Sequence, residues 1–252
     1  MYPQFSYPYV TPIFSPAGAG LVAGLVPLAC ILIAQLWYRS VFDAGNAILG
    51  LAYSMSAGCL FQVVLKKTIG GLRPHFLSVC EPVIPEGLTG SGFQNIMFTV
   101  DQVCTGDMDK INNALESFPS GHSQIAWSGL GYLAIYLFAH LRLQSRSRRP
   151  SQWKMLFTLA PVLLATYLTS TLVLGYHHNG YDVIFGTLIG MVTALLGYRT
   201  VFMSVHDQRY NYIPTRRWEA EKTEEAVHAD NVERGRRFSG MTAINSAGSD
   251  MV

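Results

Sequence analysis

Residues 155–203 read MLFTLAPVLLATYLTSTLVLGYHHNGYDVIFGTLIGMVTALLGYRTVFM, two apolar blocks broken once by a polar hexad from His177 to Asp182. Each block, Met155 to Gly175 and Val183 to Met203, is about 20 residues long, the length that carries a helix across the hydrocarbon of a bilayer. Arg199 is the one charge inside them, close enough to a block end for its side chain to snorkel to the interface.

Working outward, three further blocks of this kind occur: Ala17 to Trp37, Ala44 to Leu65, and about Ser123 to Leu141. The first two are separated by a short turn holding Arg39 and Asp43 and make a helical hairpin. Helix is the only open-chain structure that satisfies its own backbone in lipid. The expected fold class is therefore all-α, a multi-pass transmembrane helical bundle of about five spans. Composition agrees, because half of the 252 residues are hydrophobic and only 13% are charged, against about a quarter in soluble domains. A large soluble helical protein is the alternative, but core helices rarely run about 18 residues without a charge.

The expected organisation is a surface segment at 1–16, a membrane domain at 17–203 and a polar tail at 204–252. The first segment holds Pro3, Pro8, Pro12 and Pro16 among aromatics and has no Lys or Arg, so it is unlike a cleavable signal and is expected at a membrane surface. The tail is mixed in charge and poor in apolar residues. It is expected to be disordered apart from a short helix near Trp218 to His228, with Arg234-Gly235-Arg236-Arg237-Phe238-Ser239 suiting a basic-directed kinase.

Cations are retained on the cytoplasmic side during insertion. Arg142, Arg146, Arg148, Arg149 and Lys154 lie between the third and fourth blocks, and Arg209, Arg216, Arg217, Lys222, Arg234, Arg236 and Arg237 lie in the tail. Both regions are expected in the cytosol, and the amino terminus, the loop from Lys66 to His122 and the short connection from Tyr176 to Tyr181 on the other side. The outside loop carries Lys66, Lys67, Arg73 and Lys110, three of them within eight residues, which reads as a ligand site. Cys80 and Cys104 share this loop, where an oxidising compartment would let them pair, while Cys30 and Cys59 fall inside spans.

Three polar clusters flank the spans: Lys66 with Arg73-Pro74-His75, Phe118-Pro119-Ser120-Gly121-His122-Ser123, and His177-His178-Asn179-Gly180-Tyr181-Asp182. Spans two and four exit where spans three and five enter, so all three clusters share one face. A lysine and an arginine are the usual holders of phosphate oxygens. Pro119-Ser120-Gly121-His122 looks like a helix start, an anion site in which Ser120 adds a hydroxyl and Gly121 admits a close approach. His178 and Asp182 are four apart, so on a helical turn the carboxylate can orient one ring nitrogen while the other attacks. His122 is then free to act as the acid.

Jointly these clusters resemble the signature of the type 2 phosphatidic acid phosphatase superfamily, Lys-x6-Arg-Pro, then Pro-Ser-Gly-His, then Ser-Arg-x5-His-x3-Asp. The similarity runs from about Tyr7 to Met203, and Cys104-Thr105-Gly106-Asp107 and Ser117 to Ser123 resemble fungal lipid phosphate phosphatases. The resemblance implies a metal-independent phosphomonoesterase working through a phosphohistidine. It assigns phosphate binding to Lys66, Arg73, Ser120 and Gly121, the acid to His122, the nucleophile to His178 and its orientation to Asp182. The family's Ser-Arg pair falls on Thr171-Leu172, so one arginine is absent, with His177 or Lys67 as candidates to compensate. The family commonly has six spans; the one without a counterpart here is the first.

Taken singly, Lys66 reads as an interfacial anchor and His75 as a loop residue. Adjacent His177 and His178 lack a carboxylate or cysteine at ligand spacing, so no metal is expected. No cofactor and no nucleic-acid partner are expected either; the partners are membrane lipids and phosphatidic acid or another lipid phosphate. The alternatives are a prenyl or sphingoid phosphate phosphatase on the same scaffold and a catalytically weak lipid-phosphate-binding protein, the latter because of Leu172. A vanadate-dependent haloperoxidase shares the pattern, but those enzymes are soluble.

Overall fold

In the computed structural model, residues 3–143, 151–207 and 209–215 are described. They form eight α-helices in the order α1 (Pro16–Tyr38), α2 (Val41–Ile69), α3 (Phe76–Cys80), α4 (Val100–Val103), α5 (Met108–Ala114), α6 (Gly121–His140), α7 (Gln152–Leu174) and α8 (Gly180–Val201). Local chemistry sets the long boundaries. Ser15 accepts from the Gly18 N–H with Pro16 in the first turn, and Ser40 caps α2 by accepting from the Asp43 N–H. Arg39, in the left-handed region at φ 49°, ends α1 and turns the chain directly into α2.

Helices α1, α2, α7 and α8 are long and apolar enough to cross a bilayer, and the chain is a membrane protein. The fifth expected block, α6, has the length but not the composition. It packs against α1, α2, α7 and α8 together, so its surface meets protein on all sides. Ser123, Gln124, Ser128, Tyr132 and Tyr136 of α6 are buried, and their polar groups find partners within the bundle, such as the Tyr132 hydroxyl donating to the Ala47 carbonyl. A helix enclosed in this way need not be apolar all round.

Small residues let the backbones meet. A Cβ on Gly190 of α8 would fall 2.6 Å from the Gln124 carbonyl oxygen, and one on Gly197 would fall 2.7 Å from the Gly50 carbonyl oxygen. Close approach of this type suits helix association in lipid, where packing replaces the hydrophobic drive.

The bundle has two distinct ends. At one, Asp43 takes a 3.0 Å bond with His140 Nε2 and 3.1 Å bonds from the Tyr136 hydroxyl and the Gln35 amide Nε2, joining α1, α2 and α6. Residues after α8 fold back here, with the Met203 N–H donating to the Ile213 carbonyl, the Tyr198 hydroxyl to the Asn211 carbonyl, and the Arg142 guanidinium over the Tyr212 ring. The start of the polar tail is thus packed against the bundle. Its expected helix near Trp218 to His228, the Arg234–Ser239 motif and the cations Arg146, Arg148 and Arg149 lie outside the described residues.

At the other end the loop between α2 and α6 makes a small cap. Phe76, Val79, Cys80, Ile111 and Ala114 form its core, and a disulfide joins Cys80 to Cys104. The N-terminal segment, expected at a membrane surface, packs across this end: the Tyr7 N–H donates to the Pro74 carbonyl, and the Tyr7 ring stacks on Tyr176 at 4.4 Å.

Candidate active site

The three polar clusters meet at the capped end of the bundle, drawn together by backbone bonds between their segments. The Ser117 and Phe118 N–H groups donate to the Gly71 and Gly70 carbonyls, tying the approach to α6 onto the exit of α2. The Ser120 N–H donates to the Asp182 carbonyl, joining the starts of α6 and α8. The Asn179 side chain donates to the Leu72 carbonyl and closes the ring. A cavity of about 450 Å³ opens between them, its walls carrying Lys66, Arg73, Gly121, His122, His177 and His178.

Arg73 is fixed by an Nη2 bond of 2.6 Å to Asn113 Oδ1, and its Nε is buried without a partner. Lys66, in the last turn of α2, lies 3.9 Å from Glu116. Lys67 is largely exposed, pairs with Glu116 at 2.5 Å and is not in the cavity wall. Ser120 is fully buried, and its hydroxyl accepts from the Ser123 N–H and hydroxyl as the cap of α6, so the residue serves the helix start and does not line the cavity. Gly121 and His122 form the first turn of α6 in the wall, bringing free N–H groups and the positive end of the helix dipole there. A Cβ on Gly121 would press on the Gln62 amide at 3.2 Å.

His122 Nε2 is buried without a partner, while the ring bonds the backbone of Phe14. His178 precedes α8, so its spacing to Asp182 is not a helical turn. Its Nδ1 stands 3.7 Å from Asp182 Oδ2, an approach without a hydrogen bond. The reason is competition: Oδ2 accepts from the Ser117 hydroxyl at 2.5 Å and from the Asn179 N–H at 2.9 Å, the latter as the capping box of α8. Asp182 Oδ1 and His178 Nδ1 both remain buried and unpartnered.

Burial holds the His178 imidazole down to about 4, with Asp182 acting upward and Arg73 downward. Burial, His75 and Arg73 hold His177 down to about 4 as well, and burial lowers His75. These rings are neutral at pH 7, the form in which a histidine is a nucleophile. A folded value below the unfolded value of about 6.5 means that the unfolded chain binds protons first as the pH falls. The stability is present above about pH 6.5 and is lost towards pH 4. The thermal midpoint of the purified protein in detergent is therefore expected to fall through that window, and less steeply in His177→Asn. An equal slope in the variant would contradict the assignment.

Several site residues escaped the sequence reading. His75, read there as a loop residue, is 3% exposed and lines the cavity, its Nδ1 2.8 Å from the Tyr176 carbonyl. Tyr9, Gln62 and Lys110 also line it. Ser117 and Asn179 hold Asp182; the Asn-x-x-Asp spacing before an apolar block is a capping signal that was readable in advance. Leu172 is buried in the cavity wall, its carbonyl accepting from the His177 N–H at 2.9 Å.

Residues 47–206 match the family model described as PAP2 superfamily. Among curated proteins, lipid phosphate phosphatase 2 of Arabidopsis thaliana is 31% identical over 74% of this chain and 61% of its own length. A PA-phosphatase related-family protein of Dictyostelium discoideum is 34% identical over 71% of this chain and 53% of its own. Diacylglycerol pyrophosphate phosphatase 1 of Saccharomyces cerevisiae is 32% identical over 66% of this chain and 55% of its own. The chain thus spans about half to three fifths of the length of these relatives. No solved structure matches it.

Proposed function

Because the chain belongs to the PAP2 superfamily, we propose that it is a metal-independent phosphatase that dephosphorylates phosphatidic acid or a related lipid phosphate through a phosphohistidine. The observation that carries this is the meeting of Lys66, Arg73, His122 and His178, from segments spread over more than a hundred residues, in one cavity at a bundle end. The names of its relatives, a lipid phosphate phosphatase and a diacylglycerol pyrophosphate phosphatase, support a lipid-phosphate substrate.

In this mechanism Lys66 and Arg73 hold the phosphoryl oxygens and His178 Nε2 attacks phosphorus. The P–O bond to the lipid breaks as His122 gives its proton to the leaving alkoxide. Asp182 balances the charge that develops on the His178 ring. His122, now neutral, takes a proton from water, which displaces phosphate from His178. The test is phosphate release in detergent, with excess chelator, from phosphatidic acid, diacylglycerol pyrophosphate, a prenyl phosphate and a sphingoid phosphate. Turnover of at least one lipid phosphate is expected; no release from any of them would sink the enzyme reading.

Leu172 supports a second reading, a lipid-phosphate-binding protein of low turnover. A leucine in the cavity wall neither donates nor carries charge. Leu172→Arg is expected to raise turnover by roughly tenfold or more, since a fixed donor aimed at a developing anion is worth about 10²- to 10³-fold in favourable sites. If wild type and Leu172→Arg are both inert while the protein binds phosphatidic acid, the binding reading stands. Lys67, turned to Glu116, is a poor substitute cation, and His177 is the better candidate by position.

We place the cavity end on the lumenal or extracellular side and the tail in the cytosol. Arg142, Lys154, Arg199 and Arg209 all belong to the far end or the segments joined to it, and the disulfide belongs to the cavity end. Cysteines introduced as Lys110→Cys and Arg142→Cys should react with an impermeant reagent from opposite sides of sealed vesicles. Reaction of both from one side would remove this orientation.

A further inference from the structure

The proton transfers of the phosphohistidine reaction use neither of two further imidazoles in the cavity. His75 and His177 stand edge to face, their ring centroids 5.3 Å apart, and both are buried in the wall. The Tyr176 carbonyl can only accept, so His75 Nδ1 carries the proton of the neutral ring and Nε2 keeps a lone pair. His177 Nε2 is buried with no partner, while the ring bonds the backbone of Val10. The Tyr9 ring stands edge-on to both, at 5.2 and 5.9 Å, and holds them as a pair.

The charged and titratable groups around the pair come from every neighbouring segment. Arg73 stands beside it from the loop after α2, Lys66 from α2, Lys110 from α5, His122 from α6, His178 from the approach to α8, Asp182 from its first turn, and Tyr9 from the N-terminal segment. The carboxylate among them, Asp182, is engaged by Ser117 and Asn179, and Glu116 is engaged by Lys67. Burial and the Arg73 charge therefore oppose a proton on either ring. An anion in the cavity reverses that sign, because it attracts an imidazolium and accepts its N–H bonds.

Resting on the phosphatase reading of the same cavity, we propose that His75 and His177 form a proton-loaded clamp, in which an entering phosphoryl dianion draws a solvent proton onto each ring and binds more tightly as the pH falls. Each proton taken up tightens binding by about tenfold per pH unit. His177 is joined to Leu172 through its own backbone N–H, so one arm of the clamp stands beside the uncharged part of the wall.

Sulfate tests this, being a tetrahedral dianion that does not itself titrate near neutrality. Calorimetric titration of sodium sulfate into the purified chain in detergent, in buffers of different ionisation enthalpy, reads the protons taken up. Uptake of between one and two protons is expected in the wild type, with affinity rising as the pH is lowered from about 8 to 6. His75→Asn, which keeps a donor for the Tyr176 carbonyl, and His177→Asn should each remove about one proton and flatten the dependence. Sulfate binding by the wild type without proton uptake overturns the clamp, whether or not the variants fold. Unchanged uptake in the double variant also overturns it, placing the protons on His122 or His178. No sulfate binding by a preparation that releases phosphate from lipid overturns the clamp alone, and loss of both removes the phosphatase reading with it.

Discussion

His178→Ala is expected to abolish phosphate release, by a factor on the order of 10⁴ or more, as removal of a covalent nucleophile does elsewhere. The effect is large because His178 is the cavity imidazole set against the Asp182 carboxylate, which the attacking ring needs as its charge develops. His122 approaches from α6 with its ring tied to the Phe14 backbone, and the His177 ring is tied to the Val10 backbone, so neither is oriented by a carboxylate. His178 is held on the far side, against Asp182, and burial keeps it unprotonated. His122→Ala is expected to be milder, about 10²- to 10⁴-fold, and worst for lipids with poor leaving groups. A His178→Ala protein with wild-type turnover would end the mechanism, whereas equal losses for good and poor leaving groups in His122→Ala would remove only the role of the acid.

Arg73→Ala is expected to lower kcat/KM by on the order of 10²- to 10³-fold. Arg73 is the cation most firmly placed in the cavity: Asn113 fixes one end of the guanidinium, the Ala114 carbonyl accepts from its backbone N–H, and the buried Nε has no protein partner to satisfy it. Lys66 shares its charge with Glu116, and Leu172 brings none. Arg73→Lys should recover only part of the loss, since a point charge cannot reproduce two parallel N–H bonds to a phosphoryl group. Full recovery in Arg73→Lys would mean that the residue acts through charge alone.

Much of this arrangement was legible in the residues because a bilayer constrains a chain so strongly. Blocks of about 20 apolar residues leave helix as the available structure, and alternation of spans then forces the ends holding Lys66, Ser120, His122 and His178 onto one face. The enclosed helix α6 was read with the rest on length, and its serines and glutamine make sense only once its four neighbours are in place. Individual roles were less visible. The i, i+4 spacing of His178 and Asp182 does not tell that α8 begins between them, nor that its cap and Ser117 claim the carboxylate first. Ser120 reads as a phosphate donor in the linear pattern, but its hydroxyl caps α6. His75, Tyr9 and Lys110 reach the cavity through the folding of the loop and of the N-terminal segment, which are long-range packing events without a local signature.

A phosphoryl group carried by His178 can be trapped. The chain would be mixed briefly with phosphatidic acid labelled with ³²P, quenched in alkali and digested, and the labelled peptide identified. The label is expected to be stable in base, labile in acid and confined to the peptide holding His178, present in His122→Ala and absent in His178→Ala. Label that survives acid, or that remains in His178→Ala, would contradict it.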